Sequence, residues 1–198
     1  EKKNIGLGWE SPPELVKVVN LDLDYHRVVE SCVRVMHEPL EVLLAISRFW
    51  SQRVNWSEEK QKFVMLGVTG PNEYENNVNN NFHTNYMAVW TLKYTLEVLD
   101  FLKKEFPFLF DELMKKWKFN ELTETARWHE IIDKMYFPFD EKNKLYLQQD
   151  GFKDKELIPV SELPAKNLPI NQKWSWDRIL RSCYIKQADT LQSMFWFE

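Results

Sequence analysis

The feature that most restricts the fold is the return of apolar side chains every three or four positions over long stretches, interrupted by only five glycines in 198 residues. That spacing lines one face of an α-helix; a strand would need a period of two. Leu40, Leu43, Leu44, Ile46, Phe49 and Trp50 form a broad apolar face, which predicts an amphipathic helix over 40–54. Met87, Trp90, Tyr94, Val98, Phe101 and Leu102 predict a second, capped by Thr84 or Asn85, running to about Lys104 and stopped by Pro107. Shorter helices are expected over 108–118 and, behind an Asn120 cap, over 122–135. A last long helix is expected over 177–195, with Ile179, Leu180, Cys183, Tyr184, Ala188 and Leu191 facing inward. The fold class is therefore mainly α with long irregular loops. Such loops suit a helical toroid better than a compact four-helix bundle, whose connections are short.

Between the helices, Phe63 to Val68 reads as a buried strand or extended segment, and 140–149 as a hairpin. Residues 153–172 carry Pro159, Pro164 and Pro169 and read as an extended surface connection. Residues 1–39 allow two readings, a helix from about Tyr25 or a pair of short strands. A net charge of −4 with interspersed signs leaves no basic footprint for nucleic acid or an anionic membrane. Nothing approaches the ~20 apolar residues of a membrane-spanning helix, and Glu1-Lys2-Lys3-Asn4 lacks a signal peptide's apolar core. The expectation is a soluble chain. It starts without Met and carries helical signal almost to its last residue, so it is read as a piece of a longer polypeptide.

Two segments could carry chemistry. The stretch 69–85 is a loop by composition, with Gly70-Pro71-Asn72 supplying a turn and seven Asn among the fourteen residues 72–85. Glu73 lies within it, beside Tyr74, where dense amides could hold one carboxyl in a defined, partly desolvated place. The alternative is that the amides satisfy the loop backbone and Glu73 is solvated. The second segment is Lys186-Gln187-Ala188-Asp189, which offers a cation, an amide and an acceptor within one turn of the last helix, or else its wet face. The four histidines, at 26, 37, 83 and 129, lack zinc-ligand spacing, and there is no phosphate-binding glycine loop or nucleophile elbow.

At these two segments the sequence resembles family 65 of the glycoside hydrolases, the inverting phosphorylases of maltose, trehalose and kojibiose. The stretch Gly67-Val68-Thr69-Gly70-Pro71-Asn72-Glu73-Tyr74-Glu75-Asn76-Asn77-Val78-Asn79-Asn80-Asn81, then Thr84-Asn85, resembles the family's general-acid loop. Lys186-Gln187-Ala188-Asp189 resembles its Lys-Gln-Ala-Asp segment, and Arg48-Phe49-Trp50 and Trp174-Ser175-Trp176-Asp177 fit as well. The likeness covers about 40–198, leaving 1–39 unaligned, and the wording Gly-Pro-Asn-Glu-Tyr-Glu-Asn-Asn is nearest the maltose phosphorylase branch. His83 stands where the family usually has an aromatic residue.

The resemblance implies that residues 40–198 are part of an (α/α)6 catalytic barrel and that Glu73 is the general acid. It implies that Lys186, Gln187, Asn72 and Tyr74 bind the substrate. It further implies inorganic phosphate as co-substrate with no cofactor or metal, a homodimer as the full-length state, and a cytoplasmic location. The phosphate-gripping loops and the upstream sugar site are expected outside this chain, so the segment alone is expected to be inactive. Two other readings stay open. One is an inverting hydrolase on the same barrel with Asp150, Asp177 or Asp189 as base; the other is a non-catalytic helical carbohydrate-binding or scaffold protein.

Overall fold

The computed structural model describes residues 25–196. The reading of residues 1–39 as unaligned with the family falls largely outside them. From Tyr25 the backbone is helical, in line with the first of the two readings for this region. Helix α1, Tyr25–Arg53, runs through Pro39 rather than starting after it. An interior proline costs ~3 kcal/mol or more and one helical hydrogen bond. Directly after it Leu40, Leu44 and Ser47 are buried at helical spacing, and this face packs on the next long helix.

That helix is α2, Phe82–Glu105, capped by Asn81, whose Oδ1 accepts from the Thr84 N–H at 3.0 Å. Its start lies two or three residues before the expected caps because the Asn81 amide does the capping. Ser47 Oγ donates to Thr95 Oγ1 at 2.9 Å, a buried polar tie between α1 and α2. Pro107 opens α3, Pro107–Lys116, at the position where a missing N–H costs least. Helix α4, Glu121–Lys134, begins at the expected Asn120 cap, whose Oδ1 accepts from Thr123 N at 3.1 Å. Arg48 of α1 reaches α4 with two bonds to Glu124, Nε to Oε2 at 2.7 Å and Nη2 to Oε1 at 2.9 Å. Burial pushes the Glu124 carboxyl up, but Arg48 and the Asn120 N–H hold it below its ordinary value.

These four helices enclose one apolar core, including Leu40, Leu44, Leu92, Leu99, Leu113, Trp128 and Ile131. Two small antiparallel hairpins edge it. Strand β1, Asn55–Ser57, pairs with β2, Lys62–Val64, in the register Trp56 opposite Phe63. Strand β3, Phe139–Asp140, pairs with β4, Leu145–Tyr146, within the expected hairpin. Residues 152–167 pass through three single-turn 3-10 helices, followed by the short α5, Ile170–Lys173.

The expected last helix over 177–195 is broken. The structure has α6, Trp176–Leu180, and α7, Asp189–Trp196, with 181–188 irregular between them. Lys186 and Gln187 therefore lie on a loop, and Leu191 is exposed rather than inward. The backbone of this loop is used elsewhere: Glu156 N donates to Arg181 O at 2.9 Å and Cys183 N to Glu156 O at 3.0 Å. Those cross-chain bonds are incompatible with a continuous helix, whose donors and acceptors pair locally.

Candidate active site

Residues 68–78 form a closed loop. Its two ends are joined by a pair of backbone bonds, Val68 N to Val78 O and Val78 N to Val68 O, both 2.8 Å. Most of the asparagines of 72–85 serve the backbone. Asn79 Oδ1 accepts from Gly67 N and Asn80 Oδ1 from Met65 N, each at 3.0 Å, and Asn80 Nδ2 donates to Asp150 Oδ2 at 2.6 Å. Asn77 and Asn80 hold positive φ, 50° and 53°, a conformation that Asn tolerates better than most side chains. The amide-rich composition is thus largely explained by a loop that must satisfy itself without strand or helix pairing.

Asn72 is fully buried and links the two candidate segments. Its Oδ1 accepts from Lys186 N at 2.8 Å, Gln187 N at 3.3 Å and Tyr74 N at 3.3 Å. The Lys186 and Gln187 N–H groups are ones that a continuous helix would have bonded to carbonyls four residues earlier. Glu73 follows directly. Its backbone N–H donates to Gln187 Oε1 at 2.9 Å, and its Oε1 accepts from Gln187 Nε2 at 2.9 Å. Its Oε2 is ion-paired with Lys186 Nζ. Both side chains remain open to solvent, Glu73 at 60% and Lys186 at 46% relative exposure. The Lys186 and Gln187 donors hold the Glu73 carboxyl below its ordinary value, so in this arrangement it is a carboxylate.

A second ion pair clamps the loop from the other side. Lys155 Nζ pairs with the buried Glu75 and also donates to Leu180 O at 2.8 Å. The Tyr74 ring packs edge-on to Trp176, with centroids 6.5 Å apart. Of the five residues singled out from the sequence, Asn72, Glu73, Lys186 and Gln187 come together, over more than a hundred residues of chain. Tyr74 joins them through its backbone.

Asp189 is not the third polar group of a helical turn. Its side chain is fully buried, and its Oδ2 accepts from Asn81 Nδ2 at 2.7 Å. Burial pushes its pKa above the ordinary carboxylate value. His83 sits nearby on α2, its Nδ1 2.8 Å from Ser193 Oγ, and Ser193 in turn donates to Asp189 O at 3.2 Å. The Asn81 link and the Lys155 clamp were not evident from the sequence. Their partners lie 108 and 80 positions away in the chain, and no local spacing announces them.

Among the described residues, no helix is long and apolar enough to cross a membrane. The model of the glycosyl hydrolase family 65 central catalytic domain matches residues 23–198. The maltose phosphorylase of Bacillus subtilis (strain 168) is 48% identical over 158 residues, 80% of this chain and 20% of that protein. The alpha,alpha-trehalose phosphorylase of Thermoanaerobacter brockii is 35% identical over 156 residues, 78% of this chain and 20% of that protein. A solved structure from the human microbiome, assigned as a kojibiose phosphorylase, matches with a TM-score of 0.68 at 32% identity, covering 79% of this chain and 21% of that one. The chain thus spans about a fifth of the length of the relatives it matches. With all of its described residues inside that domain match, this chain belongs to glycosyl hydrolase family 65.

Proposed function

We propose that this chain carries the general acid of an inverting disaccharide phosphorylase. Glu73 donates a proton to the glycosidic oxygen while a phosphate oxygen attacks the anomeric carbon from the opposite face. The bond to the leaving sugar breaks with its electron pair on that oxygen, giving glucose and β-glucose 1-phosphate from an α-linked disaccharide. Phosphate dianion is already a nucleophile, so one carboxyl suffices where a hydrolase needs two. The observation that carries this reading is the convergence of Lys186 and Gln187 on both oxygens of Glu73. Maltose is the preferred substrate in this reading, on the strength of the 48% identity to the maltose phosphorylase.

An acid must hold a proton, and the lysine beside Glu73 opposes that. In our reading the glucosyl hydroxyls take the Nζ of Lys186 and the Nε2 of Gln187 as their own donors. Enclosure by the rest of the barrel removes water, and both changes favour the neutral carboxyl. Asn72 contributes by fixing the backbone of 186–187 rather than by touching sugar, and Tyr74 by packing on Trp176. An (α/α)6 barrel, a homodimer and a cytoplasmic location complete the reading, with the phosphate cradle supplied by segments outside this chain. The segment by itself is then inactive.

The hydrolase alternative finds less support. Asp150 is engaged by Asn80, Asp177 by Arg181 at 2.6 Å, and Asp189 is buried against Asn81. Asp177 stays exposed in that pair, but among the described residues no hydrogen bond or ion pair joins any of the three to Glu73, Lys186 or Gln187. The test is to incubate the full-length enzyme carrying this segment with maltose, with and without phosphate, and to identify the products by proton NMR. β-Glucose 1-phosphate formed only with phosphate is expected. Glucose release without phosphate, or the α-anomer, would overturn the proposal.

A further inference from the structure

The loop that presents Glu73 is tied to the body of the protein at a point remote from the carboxyl. Asn81 has two jobs: its Oδ1 caps α2, while its Nδ2 donates to Asp189 Oδ2, on the first residue of α7. Asn81 Nδ2 also lies 3.4 Å from Gln148 O, and Asp189 N donates to Gln148 Oε1 at 3.2 Å. One buried carboxylate therefore sits where two helices begin, each offering partial positive charge. The other oxygen, Oδ1, is buried with no hydrogen-bond partner among the described residues.

Gly70 is pressed against this pair. A Cβ there would stand 2.5 Å from Asn81 Nδ2 and 2.5 Å from Asp189 Oδ2, too close for any side chain without displacing one of them. Gly70 lies three residues before Glu73, and Asp189 two residues after Gln187. The contact therefore ties the loop that carries Glu73 to the start of α7, while the backbone of Lys186 and Gln187 is held separately by Asn72.

We propose that Asp189 is a positioning residue for the general acid, holding Gly70 and Asn81 so that Glu73 stays aligned with the Lys186–Gln187 loop. This rests on the phosphorylase reading above. It assigns Asp189 no contact with substrate. A misplacement of ~1 Å at a reacting group costs about 10²-fold in rate.

The test uses the full-length enzyme with phosphate and two glucosyl donors, maltose and α-glucosyl fluoride. Phosphate displaces fluoride with the same inversion, but fluoride departs with its electron pair without needing a proton from Glu73. Both donors occupy the glucosyl site, so a change in sugar binding or in the amount of folded protein lowers both rates alike. A shifted acid lowers only the first. Asp189→Ala is expected to lose about 10²-fold in kcat on maltose, with the fluoride rate held within a few-fold. Gly70→Ala, which attacks the contact from the loop side, is expected to show the same selectivity. Equal losses on the two donors, or no loss, would overturn the inference. So would failure of both variants to fold, which would make the contact a determinant of the fold. If the unaltered enzyme forms no β-glucose 1-phosphate from either donor, it is the phosphorylase reading that fails.

Discussion

The helical frame and the Glu73 loop are held together by opposite means. The frame relies on apolar burial: Trp128, Leu92 and Ile131 are almost completely enclosed, and its polar ties, Ser47 to Thr95 and Arg48 to Glu124, supplement a continuous core. The loop buries little apolar surface apart from Val68. Asn72, Glu75, Asn80 and Asn81 are buried in its place, each directed at a specific backbone group or charge. Burial is non-directional and tolerates small shifts, whereas hydrogen bonds fix direction. Substitutions in the two regions should therefore fail differently, the frame losing stability and the loop losing geometry.

The largest expected effect is on catalysis. Glu73→Gln in the full-length enzyme should lower kcat on maltose by about 10²–10⁴-fold, with the melting temperature unchanged because Glu73 is solvent-open. Trp128→Ala reverses this pattern. It should cost about 3–5 kcal/mol of stability, read by denaturant unfolding, while folded enzyme keeps its relative rates on maltose and glucosyl fluoride. Asn72→Ala lies between the two regions. Removing an acceptor shared by Lys186, Gln187 and Tyr74 should cost about 1–3 kcal/mol and also lower kcat, which would blur the contrast usefully. Asn120→Ala, a cap within the frame, should cost about 1 kcal/mol and leave kcat alone.

The smallest effect is a shift in pH dependence. Lys186 and Gln187 hold Glu73 below its ordinary value, and in the proposed reading activity needs the protonated acid. Activity is therefore lost as pH rises through the pKa of Glu73. Lys186→Met removes the cation, raises that pKa and moves the basic limb of kcat/KM to higher pH. An unmoved limb would separate Glu73 from the titration that controls the rate.

The same contrast explains what could be read in advance. The frame follows local rules: the periodicity of α2, the Asn120 cap of α4 and the Pro107 break each depend on residues within a few positions. Pro39 misled because its local penalty is outweighed by packing of Leu40 and Leu44 against α2. The loop residues could be flagged as chemically unusual, but their partners could not. The apolar spacing of Ile179, Cys183 and Tyr184 is helical in sequence, yet Glu156 and Asn72 take the backbone groups that a helix would use. Long-range acceptors leave no mark on local pattern. Asp189 was legible as an acceptor, but its partner Asn81, 108 positions away, was not.

The most direct measurement of the central claim is the ratio of phosphorolysis rates on maltose and α-glucosyl fluoride in Glu73→Gln. If Glu73 supplies the proton to the departing sugar, the maltose rate collapses while the fluoride rate survives nearly intact. Parallel loss on both donors, or undiminished turnover of maltose, would contradict the account.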